Sequence, residues 1–202
     1  MKLPYLATVV LLAMTTLTLT PVVAHAQTDH HVGLYLNPVA IRVSNSFPDS
    51  GPFAFLGQNS TSQVFFGLDY GGYWDFFQSG KIAAGLDMRE SDLHANNALL
   101  RSFLVGARLS AHPFRLPFKP YLQASVGLGT TKAPQTTVHA SKLDYAIYGG
   151  VDYTIQRHVD FRIAEIGYGS LTTTSSSTNS VVSFAVPASK LLSFSTGLVF
   201  RF

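Results

Sequence analysis

Apolar and polar residues alternate with a period of two along most of the chain from residue 32 to residue 202, the spacing of strands rather than helices. The clearest stretch is 190–202. Leu192, Phe194, Thr196, Leu198, Phe200 and Phe202 share one face, while Leu191, Ser193, Gly197, Val199 and Arg201 share the other. A strand of that length crosses a bilayer at a tilt. The pattern recurs to give eight predicted strands, at 32–43, 62–76, 81–90, 98–111, 120–131, 143–155, 159–169 and 190–202. The first changes phase. Leu34 and Leu36 hold its apolar side, then Val39, Ile41 and Val43 take over, with Ala40 and Arg42 opposite. The change falls at Asn37-Pro38 and predicts a bulge, because proline cannot donate to a sheet ladder. A second slip is expected near Glu165, where the alternation of Asp160 and Arg162 against Phe161 and Ile163 breaks down.

Short links alternate with longer ones. Gln78-Ser79-Gly80, residues 113–119 and Gln156-Arg157-His158 read as tight turns. Residues 44–61, 91–97, 132–142 and 172–189 read as longer polar loops. No fixed-length repeat is visible, so a propeller or solenoid is not expected. Nor does any linker divide the chain after residue 27.

Composition decides which face is wet. Only 12% of the 202 residues are charged, and 47% are hydrophobic. A soluble barrel or sandwich hides its apolar face and needs a charged coat. Here the less apolar face is Gly, Ser, Thr, Gln and Ala with a few Asp and Arg. That face suits the filling of a narrow barrel, with the apolar face turned to lipid. No apolar run after residue 27 is long enough for a membrane-spanning helix, so a span must be a closed barrel. The fold expected is therefore all-β: an eight-stranded antiparallel up-and-down transmembrane barrel. Aromatics near strand ends, such as Tyr70, Trp74, Phe76, Phe77, Tyr145, Tyr153 and Phe161, suit interfacial girdles. A soluble, lipocalin-like binder is the rival fold.

The first residues read differently. Met1-Lys2, an apolar run from Leu6 to Leu19 and Ala24-His25-Ala26 have the layout of a secretory signal peptide, expected at 1–26 ahead of a barrel domain at 27–202. The chain has no cysteine, which excludes disulfides and thiolate metal sites. The alternation turns Arg42, Asp69, Asp87, Arg89, Arg108, Asp152, Arg162 and Arg201 inward. Asp160 joins them at the short-turn end as a candidate partner for Arg201, and Glu165 joins only if the slip points it inward. Charges in a narrow interior must pair, so this set predicts an ionic plug that closes the lumen. A minor, narrow porin whose ion pairs exchange partners is the alternative.

The signal-like start, the alternation of 143–155, the short Arg157-His158 turn and the terminal Ser195-Thr196-Gly197-Leu198-Val199-Phe200-Arg201-Phe202 together resemble the small eight-stranded outer-membrane barrels of Gram-negative bacteria, the group of the OmpA transmembrane domain and OmpX. The resemblance implies a bacterial outer-membrane location and a role in envelope integrity or surface contact. It also implies that Phe194, Leu198, Phe200 and Phe202 form the signal read by the barrel-assembly machinery. Periplasmic chaperones and outer-membrane lipid are the implied partners, with loops 44–61 and 172–189 the places for a surface ligand. Some such barrels process lipid A with His, Ser and an acidic residue. Ser91, Asp92 and His94 lie together here, but too close in sequence for a built triad. No G-x-S-x-G, H-E-x-x-H or dinucleotide fingerprint is present, so no enzyme, cofactor or resident metal is expected. Nor is a nucleic-acid surface expected, since the net charge of +3 arises from few charges overall.

Overall fold

The computed structural model describes residues 31–45, 62–95, 98–112, 116–132, 139–172 and 188–202. The expected signal peptide at 1–26 and nearly all of loops 44–61 and 172–189 lie outside the described residues. Eight strands follow in order: β1 (Val32–Asn45), β2 (Ser62–Ser79), β3 (Ile82–Ala95), β4 (Ala98–Ala111), β5 (Phe118–Lys132), β6 (His139–Gln156), β7 (Val159–Thr172) and β8 (Ala188–Arg201). Each pairs antiparallel with the next, and β8 returns to β1, so the sheet closes into a barrel without free edges. Closure satisfies the backbone of every strand without water, the condition for a sheet inside a bilayer. At the tight-turn end, β2 meets β3 through Gly80, whose φ of 58° is the left-handed conformation that glycine adopts without cost.

The outer surface carries the apolar set. Leu34, Leu36, Phe66, Leu68, Leu86, Met88, Leu122, Val126, Ile147, Ile166, Phe194 and Leu198 are all exposed on it. On β5 the outward residues Phe118, Leu122, Val126 and Leu128 cover ten residue steps, about 25 Å of height for a strand tilted as in membrane barrels. At the foot of this belt, at the tight-turn end, stand Trp74, Phe76, Phe77, Phe118, Tyr153, Phe200 and Phe202. A bulge in β2 helps build that girdle. The register steps from Asp75 opposite Gly85 to Phe77 opposite Ala84, and Phe76 and Phe77 both face outward. An exposed apolar belt with an aromatic rim excludes the soluble barrel.

At the other end of the barrel the faces exchange character. Arg42, Ser62, Asp92, His94, Arg101, Thr130, Ser141 and Lys190 form an outer polar collar, all outside the apolar belt. Beneath it, the lumen is filled by Val39, Ile41, Val43, Phe65, Leu93, Ala98, Leu100, Leu171 and Leu191. The barrel therefore continues beyond the lipid belt as a water-soluble barrel would, greasy inside and polar outside.

This exchange corrects two expectations. Asn37-Pro38 is not a bulge. The β1–β2 register runs unbroken from Val32 opposite Trp74 to Ser44 opposite Ser62. Val39, Ile41 and Val43 point inward because β1 leaves the belt there, and Arg42 consequently points outward instead of joining the lumen charges. Likewise, residues 91–95 are strand. Ser91 and Leu93 face the lumen while Asp92 and His94 face out, and the link to β4 is only residues 96–97.

Candidate functional site: the closed lumen

The lumen is filled from the tight-turn end upward by paired charges. Closest to that end, Lys119 Nζ donates to Asp160 Oδ2 at 3.0 Å. Arg201 Nε stands 2.8 Å from the same oxygen, a close ionic contact without the alignment of a hydrogen bond. Arg201 Nη2 is held instead by the carbonyls of Gln156 and Arg157, at 3.3 and 3.1 Å. His112, at the edge of this layer, has its pKa lowered from the ordinary 6.5 to about 4, first by burial and then by the charges of Lys119, Arg108 and Arg201.

The next layer joins Arg108 and Arg162 through Asp152. Arg108 Nη2 donates to Oδ2 at 3.1 Å and Arg162 Nε to Oδ1 at 2.9 Å. The Arg108 guanidinium lies between the rings of Tyr73 and Tyr121, 3.8 and 4.2 Å from their centroids. With its amide oxygen turned toward Arg162, Asn37 accepts from Nη1 at 3.0 Å.

At mid-barrel Glu165 is the hub. Arg89 grips it with two bonds, Nη1 to Oε1 at 2.6 Å and Nη2 to Oε2 at 2.7 Å. Arg162 Nη1, the Tyr121 hydroxyl and Ser195 Oγ donate to it as well. A bidentate grip is the strong form of the carboxylate–arginine pair. Arg89 also reaches Asp69 at 3.3 Å and lies over the Tyr148 ring, 4.0 Å from its centroid. Asp87 accepts from Tyr35 and from Gln123, at 3.0 and 2.6 Å.

Above this network Asp144, Ser102, Tyr148 and Ser193 border a cavity of about 10 Å³, room for roughly one water molecule. Above the cavity comes the apolar cap. Two barriers of different chemistry thus lie in series along one axis.

Of the residues expected in the lumen, Asp69, Asp87, Arg89, Arg108, Asp152, Asp160, Arg162 and Arg201 lie there buried; Arg42 does not. Arg42 donates to Ser62 Oγ at 3.5 Å on the outer surface. Ser91, Asp92 and His94 do not converge: Ser91 is inside the barrel and the other two are outside. The expected assembly residues Phe194, Leu198, Phe200 and Phe202 all face outward.

Several lumen residues escape a reading by charge alone. Glu165 enters because β7 carries one extra residue: the β7–β8 register shifts between Arg162 opposite Gly197 and Glu165 opposite Ser195. Lys119 reads as part of a turn but is the second residue of β5 and faces the lumen. Tyr35, Tyr73, Tyr121 and Tyr148 face inward among small residues. Each stands directly opposite a glycine on the adjacent strand: Gly71, Gly33, Gly150 and Gly167 respectively. The rings lie over those glycines, and a Cβ on Gly150 would sit 2.5 Å from the Tyr121 hydroxyl. That tyrosine–glycine pairing across strands is the signal a charge count overlooks.

No protein-family model matches the chain, and no curated protein matches it. Solved structures do. The structure of Neisserial surface protein A superposes with a TM-score of 0.57 at 15% identity, covering 85% of this chain and 97% of that one. Ail, the attachment invasion locus protein of Yersinia pestis, superposes with a TM-score of 0.54 at 10% identity, covering 87% of this chain and all of that one. With the lipid-facing belt, the aromatic girdle and the closed antiparallel order, these likenesses identify the chain's fold as that of the small eight-stranded outer-membrane β-barrels.

Proposed function

We propose that the protein is a non-enzymatic integral protein of the bacterial outer membrane, with a structural or contact-making role and a lumen that conducts nothing. The observation that carries this reading is the double seal: a layered network of buried ion pairs, then an apolar cap that excludes water. An ion crossing the barrel would have to break the Arg89–Glu165 grip and also pass through packed Val, Ile, Leu and Phe side chains. The cap weighs against the minor-porin alternative, since exchange of ion pairs alone would not open it. Catalysis finds little support on the rim, because Ser91 points away from Asp92 and His94. Envelope integrity, or surface contact through residues 44–61 and 172–189, is the role that a sealed barrel leaves.

Planar-bilayer recording of the refolded protein tests the seal. No discrete conductance steps are expected between 0.1 and 1 M salt at either polarity, by order of magnitude the range over which charge screening changes most. Reproducible unitary steps would overturn the reading in favour of the porin.

Assembly belongs to the same proposal. Phe194, Leu198, Phe200 and Phe202 lie on the outer face of the strand that closes the barrel, where an assembly factor in the membrane could read them. Deleting Phe202 is expected to lower the yield of folded barrel in the outer membrane while export to the periplasm continues, measured by fractionation. Unchanged outer-membrane yield would remove these residues from the proposed signal.

A further inference from the structure

The outer face of β1 carries a recess where the apolar belt meets the polar collar. Ala40 is small, and across both neighbouring strands it faces a large side chain: Phe66 on β2 and Phe194 on β8. The step in size leaves an open groove of about 320 Å³, walled by Val64, Ile166, Leu192 and Phe194 with Ala40 at its base and Arg42 at its rim. Among the described residues Arg42 has Ser62 as its hydrogen-bond partner and no carboxylate. Lys190 is exposed on the same outer face of β8, opposite Ser44. Leu192, two residues on, is opposite Arg42, so the two cations are diagonal neighbours, about 7–8 Å apart along the backbone and somewhat closer at Cβ.

We propose that this groove is a binding site for a phosphate-bearing membrane lipid, with one acyl chain along Ala40 and the phosphate between Arg42 and Lys190. The groove opens toward the bilayer, so its occupant comes from the bilayer. The walls are apolar and fit a hydrocarbon chain. The rim is cationic at the height where lipid headgroups begin. A guanidinium presents paired donors to phosphate oxygens, and a lysine alongside adds a second charge. Charge complementarity therefore selects an anionic headgroup over a neutral one. The site goes beyond the sealed-lumen reading and does not depend on it, since no residue of the groove belongs to the ion network.

The test is native mass spectrometry of the full chain refolded in detergent. It is titrated with dioleoyl phosphatidic acid, with dioleoyl phosphatidylcholine, or with inorganic phosphate. The expected result is a single retained phosphatidic acid, bound about tenfold more tightly than phosphatidylcholine, with no stable phosphate adduct. R42Q/K190Q should abolish that preference. Ala40→Leu, which fills the groove from its half-buried base, should weaken retention of both lipids about equally. Far-UV circular dichroism and heat-shifted gel mobility would show that both variants fold. Equal retention of the two lipids by the wild type, or the same preference in R42Q/K190Q, would mean annular lipid only and overturn the proposal. Unchanged retention in Ala40→Leu would overturn the placement of the chain. Conductance is indifferent to every one of these outcomes, so failure here is distinct from failure of the seal.

Discussion

At the scale of single residues, Glu165 concentrates most of the electrostatic risk in the barrel. Five donors from Arg89, Arg162, Tyr121 and Ser195 converge on its two oxygens, and its exposure is 2%. A buried network of this kind contributes little net stability while intact, but removing one member leaves the others charged and unpaired. Glu165→Gln keeps the size of the side chain and takes away the charge that Arg89 and Arg162 share. It is expected to destabilise the folded barrel by about 3–5 kcal/mol, read from urea unfolding in detergent. Asp92→Asn is the control. Its partner Arg101 is exposed on the outer collar, and loss of such a pair costs about 0–1 kcal/mol. Equal effects from the two substitutions would contradict the hub. His112, outside the spans, should add a pH dependence whose sign follows from its burial. Its folded pKa lies below the unfolded value, so its contribution is present above about 6.5 and is lost as pH falls toward about 4.

Single strands reveal how much of this is legible in the sequence alone. The eight strands, their order and the inward set of Asp69, Asp87, Arg89, Arg108, Asp152, Asp160, Arg162 and Arg201 follow from period-two alternation, because one lipid-facing side forces the pattern. Two breaks in that alternation look alike in sequence and have opposite causes. At Asn37-Pro38 the strand keeps its phase and the surroundings change from lipid to water, so apolar residues move inside while the register holds. Near Glu165 the surroundings are constant and the strand itself gains a residue. Alternation alone cannot separate these cases, since it records polarity relative to a neighbour and not the position of a Cβ. The extra residue has a testable role. Deleting Ala164 places Glu165 directly after Ile163, so the alternation becomes simple and Arg162, Glu165, Gly167, Gly169 and Leu171 all stay on the lumen face. The expected outcome is a barrel that keeps its heat-resistant folded form on gels, since only the bulge is lost. Loss of that form would mean that the local bend and twist of the bulge, and not only the facing of Glu165, are needed to pair β7 with β8.

For the molecule as a whole, the barrel is two solvents' worth of design on one continuous sheet. In the lower part the exterior is apolar and the interior holds ion pairs; in the upper part the exterior is polar and the interior holds Val43, Phe65, Leu93 and Leu100. The boundary fixes the height of the protein in the membrane, because sliding it up would expose collar charges to hydrocarbon and sliding it down would expose the belt to water. It also predicts that one substitution should have three different outcomes along β1. Lysine at Leu36, outward in the belt, should cost about 2–4 kcal/mol of folding stability in lipid vesicles, as a cation does near the bilayer midplane. Lysine at Ser44, outward in the collar, should change stability by less than about 0.5 kcal/mol, as for other surface positions. At Val43, inward in the cap, lysine brings an unpaired charge among apolar side chains, and should cost as much as at Leu36 in vesicles. In detergent the two should diverge. Micelles deform around an outward lysine and relieve Leu36→Lys, whereas the cap is packed protein in either medium and Val43→Lys stays destabilised. If Val43→Lys were tolerated in both, the cap would not be a sealed core, and the ion network would be left as the lumen's main barrier.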